Sequence, residues 1–130
     1  MNGRPRLLLI DDEPALADFI ASAATLSGFD PRVTGNDQAF RDLYLEEPPQ
    51  MVALDLQMPG MDGIELLRFL ADHEFRGPVL IISGFDRRVL DSAFRLGEAL
   101  GLDMVGPLEK PARLHDVEAI LESAKIRLTA

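Results

Sequence analysis

Short, wholly apolar runs alternate along this chain with longer segments whose apolar residues recur every three or four positions. Leu7-Leu8-Leu9-Ile10 predicts a first strand. Pro14 suits the first turn of a helix, where its missing N–H costs nothing. Leu16, Phe19, Ile20, Ala23 and Ala24 continue that helix as an apolar stripe, and Gly28 ends it. Asp30 to Thr34 predicts a second strand, short and poor in apolar residues and therefore near a sheet edge. Gln38 to Glu46 predicts a second helix with Phe40, Leu43 and Tyr44 inward, stopped by Pro48-Pro49. Met51 to Leu54 is a third strand, and Ile64, Leu67, Leu70 and Ala71 mark a third helix. Val79 to Ile82 is a fourth strand, closing at Ser83-Gly84. Arg87 to Leu100 predicts a longer helix with Leu90, Ala93, Phe94 and Gly97 on one face. Leu102 to Leu108 forms a fifth strand that contains Gly and Pro. Pro111 to Leu128 predicts the last helix, with Leu114, Val117, Leu121, Ala124 and Leu128 in line.

Five strands alternating with five helices predict an α/β fold: a mostly parallel sheet with helices on both faces. The length, 130 residues, suits one domain spanning 1–130. The all-apolar third and fourth strands fit central positions covered on both sides. Ligands of such folds bind beyond the carboxyl ends of the strands. Asp11, Asp12, Asp55, Ser83 and Lys110 all fall at those ends.

Composition narrows the partners. Hydrophobic residues make up 47% of the chain, enough for a substantial core. Thirteen basic against 22 acidic side chains leave a net charge of −9, which argues against direct, non-specific nucleic-acid binding. There is no cysteine, hence no disulfide framework. The basic start, Met1 to Arg6, is followed by only four apolar residues before Asp11, too few for a signal sequence or a membrane span. The expectation is a soluble cytoplasmic protein.

Asp55 is the residue that packing explains least. It closes the apolar run Met51 to Leu54 and opens into Leu56-Gln57-Met58-Pro59-Gly60-Met61-Asp62-Gly63. An unperturbed aspartate titrates near ~3.9, so several converging on one rim would repel each other near neutral pH. A divalent cation resolves that conflict, and carboxylate oxygens plus water suit Mg²⁺. A carboxylate can accept a phosphoryl group as an aspartyl phosphate. A metal and the Lys110 ammonium would neutralise the transferring group, with Ser83 as a hydrogen-bond donor. Asp11 and Asp12 taken alone also read as a helix N-terminal signal; in company with Asp55 and Lys110 the metal reading is preferred. Glu13 reads as first-turn charge, Asp62 as a cap for the third helix, His73 and His115 as surface residues, and Met58 and Met61 as packing.

Asp11-Asp12 after the first strand, Asp55 in the run LDLQMPGMDG, Ser83-Gly84 after the fourth strand and Lys110-Pro111 after the fifth together resemble the receiver domain of two-component response regulators, over roughly residues 6–128. The resemblance implies a flavodoxin-like, doubly wound five-stranded parallel sheet, order 2-1-3-4-5, with five helices. It implies that Asp55 takes phosphate from a sensor histidine kinase or phosphotransfer protein and alters a face that binds an output domain, a partner protein or a second copy of the chain. Mg²⁺ would be held by Asp12, Asp55 and the backbone carbonyl of Gln57, with Asp11 supporting it through water. Ser83 and Lys110 would contact the phosphoryl oxygens, and the Lys110–Pro111 peptide would be cis. Gln57 and Phe85 occupy positions that tune phosphoryl lifetime in the family, and the bulk of Phe85 implies slow autodephosphorylation.

The chain departs from that pattern in two places. Where many receivers carry an aromatic residue three positions before the lysine, this chain has Pro107, which cannot rotate inward or donate a ladder hydrogen bond. Ser83 and Lys110 lie 27 positions apart (110 − 83), longer than the family suggests, and the surplus is expected in the fourth helix. The segment SGFDRRVLDSAFRLGEALGLDMVGPLEKP is similar to receivers attached to cyclic-dinucleotide phosphodiesterase domains. Two other classes compete. A degenerate receiver would act as a phosphate-independent scaffold, which the complete site disfavours. An Asp-nucleophile phosphatase resembling the haloacid dehalogenase group would need a second Asp where Gln57 stands, so no separate turnover is expected. A nucleotide or flavin module is disfavoured because no Gly-rich loop follows the first strand.

Overall fold

Successive residues of the strands point to opposite faces of one parallel sheet, and the apolar runs fill both faces. The structure is a computed structural model describing residues 3–60, 62–84 and 86–129. In chain order it contains β1 (Arg6–Ile10), α1 (Pro14–Leu26), β2 (Asp30–Thr34), α2 (Asp37–Glu46), β3 (Met51–Asp55), α3 (Gly63–Asp72), β4 (Pro78–Ser83), α4 (Arg87–Ala99), β5 (Asp103–Glu109) and α5 (Leu114–Thr129). The strands lie in the order β2-β1-β3-β4-β5, every neighbouring pair parallel. This is the flavodoxin-like, doubly wound sheet. Edge strand β2 keeps only Thr34 buried, whereas every residue of β3 and β4 is buried.

Two cores result. Leu8, Ile10, Val52, Leu54, Val79 and Ile81 face α2, α3 and α4, where Phe40, Leu66, Leu70 and Leu90 meet them. Leu7, Leu9, Met51, Ala53, Leu80 and Ile82 face α1 and α5, against Ile20, Ala24, Val117 and Leu121. Each of these is fully or nearly fully buried, so truncating a residue such as Leu54 to Ala costs about 2–5 kcal/mol through lost transfer energy and the cavity left behind. Among the described residues no helix is long and apolar enough to cross a membrane.

Helix ends follow the local chemistry. Side chains of Asn36, Asp62 and Asp86 accept hydrogen bonds from backbone N–H groups in the first turns of α2, α3 and α4. Asp62 is thus a cap, as its sequence position suggested. After α1 the chain turns at Gly28, φ +92°, a left-handed conformation that glycine adopts without steric cost. The last helix differs from expectation. It begins at Leu114, not Pro111, and Leu114 is exposed. The first three positions are used in the turn out of β5, and the first α5 backbone bond, Val117 N–H to Arg113 O, places the helix start after them.

β5 carries the other difference. Val105 and Leu108 both belong to the α1/α5 core although an odd number of positions separates them. The pairing explains this: Leu80 faces Val105 and Ile82 faces Leu108, so one β4 residue, Ile81, stands opposite Gly106 and Pro107. The extra residue is a β-bulge, which keeps Pro107, with no N–H, out of the regular ladder. Gly106 sits at φ +85°, and both the Gly106–Pro107 and Lys110–Pro111 peptides are cis. One of the surplus positions between Ser83 and Lys110 therefore lies in this bulge rather than in α4.

Candidate functional site

The pleat delivers three charged residues to one side of the rim. Asp11, Asp55 and Lys110 each come two positions after a residue of the α1/α5 core, namely Leu9, Ala53 and Leu108. Backbone bonds past the strand ends hold them in place: Asp11 N–H to Thr34 O at 3.1 Å, Leu56 N–H to Ile82 O at 2.9 Å, and Lys110 N–H to Ser83 O at 2.9 Å. Asp55 is completely buried, as is Ser83 at the end of neighbouring β4, and Asp11 is 3% exposed. Burying three such groups at one rim has no packing benefit and needs compensation.

That compensation is visible in part. Lys110 Nζ donates to Asp55 Oδ2 at 3.1 Å and to Glu13 Oε1 at 3.0 Å. The other oxygen of Asp55 accepts from Gln57 N–H at 2.8 Å. Asp11 Oδ1 accepts from Glu13 N–H at 2.9 Å, but Asp11 Oδ2 is buried without a partner. Carboxylate oxygens of Asp11, Asp12 and Asp55 lie within 4.8 Å of one another, with Asp12 exposed at the outer edge. Burial pushes the Asp11 carboxyl up to about 6; the Glu13 N–H opposes this and the neighbouring Asp55 charge adds to it. For Lys110 burial acts downward, but the hydrogen bonds and charges of Glu13 and Asp55 outweigh it and raise the ammonium above its ordinary value. An orphaned buried oxygen facing two more carboxylates fits a hard divalent cation, which prefers oxygen ligands.

The residues singled out in the sequence thus converge: Asp11, Asp12, Asp55 and Lys110 through their side chains, and Ser83 through its place at the end of β4. Two contributions were not foreseen. Glu13, read as first-turn charge, is the N-cap residue of α1 without a side-chain cap bond, and its carboxylate pairs with Lys110 instead. Gln57 contributes its side chain as well as its backbone, since its Oε1 accepts from Gly84 N–H at 2.6 Å. Neither contact has a local signal, because the partners lie 97 and 27 positions apart. Met58 is core packing and His115 is exposed, as expected. His73, also exposed, bonds through Nδ1 to Phe69 O at 2.8 Å, and its ring lies tilted against that of Phe69. Phe85 and Met61 lie outside the described residues.

A doubly wound parallel sheet with an acid cluster and a lysine at its carboxyl rim has the makings of a metal- and phosphate-binding site. The sequence model of the response regulator receiver domain matches residues 7–122, and the chain belongs to that family. It is 32% identical over 124 residues to the transcriptional regulatory protein FixJ of Bradyrhizobium diazoefficiens, covering 95% of this chain and 58% of FixJ. It is 29% identical over 119 residues to the regulatory protein AtoC of Escherichia coli, covering 92% of this chain and 25% of AtoC. The chain therefore spans only a part of these curated relatives. A response regulator from Colwellia psychrerythraea superposes with TM-score 0.81 at 30% identity, covering 95% of this chain and 98% of that one. Full-length FixJ from B. japonicum superposes with TM-score 0.75 at 30% identity, covering 95% of this chain and 58% of that one. The chain is a receiver domain of two-component signalling.

Proposed function

We propose that Asp55 is the phosphoryl acceptor of this receiver, with residues 1–130 working as one switch domain that performs no separate substrate turnover. The observation that carries the reading is the contact of Lys110 Nζ with the fully buried Asp55 Oδ2 at 3.1 Å, beside the orphaned Asp11 Oδ2. An Asp55 carboxylate oxygen attacks phosphorus, an O–P bond forms, and the bond from phosphorus to the donor nitrogen of a kinase or phosphotransfer histidine breaks; the histidine nitrogen keeps that electron pair. Lys110, freed from Asp55, follows the phosphoryl oxygens, and the Ser83 hydroxyl donates to another. Asp11, Asp12, Asp55 and the Gln57 carbonyl would hold Mg²⁺. When bound, that cation supplies charge neutralisation for the transferring group.

The approach of the donor is supported by a groove of about 580 Å³ at the site's edge, where Leu16, Phe19, Pro111 and Ala112 flank Glu13 and Lys110. Apolar surface around a charged reaction centre suits a protein donor. A cytoplasmic location, and an output domain, a partner protein or a second copy of the chain that reads the altered face, belong to the same proposal. The test is incubation with Mg²⁺ and acetyl phosphate, followed by intact mass measurement. Wild type gains one phosphoryl group and Asp55→Asn gains none. A gain of equal size in Asp55→Asn overturns the assignment.

A further inference from the structure

Gln57 is tied into the site at both ends. Its backbone N–H donates to Asp55 Oδ1 at 2.8 Å, and its side-chain Oε1 accepts from Gly84 N–H at 2.6 Å. Gly84 directly follows the buried Ser83, and a Cβ placed on it would lie 2.8 Å from Gln57 Oε1 and 3.5 Å from Lys110 Cβ. The Gly84 backbone is thus flanked by Gln57 and Lys110, the two residues whose N–H and ammonium groups hold the Asp55 carboxylate. A phosphoryl group there presents three terminal oxygens, and the Gly84 N–H is a donor at the same rim held by a neutral carboxamide.

We infer that the Gln57 side chain is a displaceable latch: its Oε1 occupies the Gly84 N–H in the unmodified protein and yields it to a phosphoryl oxygen. This rests on Asp55 being the acceptor. The exchange runs downhill, because a hydrogen bond to an anionic oxygen is roughly twice as strong as one to a neutral amide. It is not free, because the existing bond breaks first, and that bond holds down the affinity of the site for phosphoryl groups. The released carboxamide has somewhere to go. Gln57 is half-exposed and forms one wall of an apolar groove of about 690 Å³ between α3 and α4, lined also by Leu56, Met58, Val89, Ala93 and Leu96. Phosphorylation thereby acts on the α3/α4 surface through Gln57, by a route that does not need a rotating side chain at position 107.

The probe is beryllofluoride with Mg²⁺ on the full chain, followed by fluorine NMR and by the Gly84 amide resonance. Gln57→Met keeps the length of the side chain and removes the acceptor; Gln57→Ala removes both. Both variants are expected to bind beryllofluoride about 2- to 10-fold more tightly than wild type, the range set by one neutral hydrogen bond. In the free variants the Gly84 amide exchanges faster with solvent. Equal or weaker binding in both variants, with the Asp55-dependent adduct still formed, overturns the latch and leaves the acceptor standing. If wild type forms no adduct that Asp55→Asn abolishes, the acceptor reading itself fails and the latch falls with it.

Discussion

Lys110 Nζ stands 3.1 Å from Asp55 Oδ2, joining two side chains that start 55 positions apart. The carboxylate is fully buried and the Lys110 side chain only 15% exposed, so Lys110 compensates the buried Asp55 charge while sharing its own between Asp55 and Glu13. Lys110→Met removes the cation and leaves Asp55 facing Asp11 and Asp12 alone. Removing one partner of a buried ion pair costs about 3–5 kcal/mol. Urea unfolding in chelator should show a loss of that size, partly restored by Mg²⁺. An unchanged midpoint would mean that solvent already screens the pair.

Asp11 makes the site sensitive to pH. Its carboxyl titrates at about 6 in the folded chain against an ordinary 3.8, so the folded state holds the proton more tightly than the unfolded one. The associated stability is fully present below pH 3.8 and is lost as pH rises towards 6 in metal-free protein. Cation binding needs the deprotonated form, so its dependence runs the other way: Mg²⁺ affinity at pH 5 should be about tenfold below that at pH 7. Isothermal titration at the two values measures this. Asp11→Asn should flatten the profile; a profile that stays steep assigns the titration to another group.

Gly106 is the position where the β5 bulge tolerates least. At φ +85° it takes a conformation that L side chains resist, and an added Cβ would approach Leu80 Cδ1 to 2.7 Å. Gly106→Ala should cost about 1–3 kcal/mol from the combined strain and overpacking. A denaturant midpoint within error of wild type would show that the bulge relaxes without penalty.

Asp62 separates a cap from a ligand. Its Oδ1 accepts from Ile64 N–H at 2.9 Å at the start of α3. Asp62→Ala should lower stability by about 1 kcal/mol and leave Mg²⁺ affinity unchanged. A tenfold drop in Mg²⁺ affinity would place Asp62 in the metal site instead.

Much of the fold was legible because both periodicities are local. Leu7 to Ile10, Met51 to Leu54 and Val79 to Ile82 read as buried strands and are so. The stripes of α1 to α4 read as helices for the same reason. The start of α5 was placed three positions early, at Pro111, because proline is compatible with a first helical turn, whereas the chain spends residues 111–113 turning out of β5. Pro107 signalled a disturbed strand, but periodicity cannot count the extra residue; only the pairing of Leu80 with Val105 and Ile82 with Leu108 shows the bulge.

The sequence by itself determined the strands, the helices and the chemistry at each strand end, since these depend on neighbours a few positions away. Strand order entered through the family resemblance. Tertiary structure alone decided that Glu13 pairs with Lys110, that Asp11 keeps an unpartnered oxygen, and that Gln57 holds the Gly84 N–H. Those contacts join segments that approach only once the parallel sheet has aligned β1, β3, β4 and β5. Hydrogen bonds at 2.6 to 3.1 Å are set by that alignment, not by residue type.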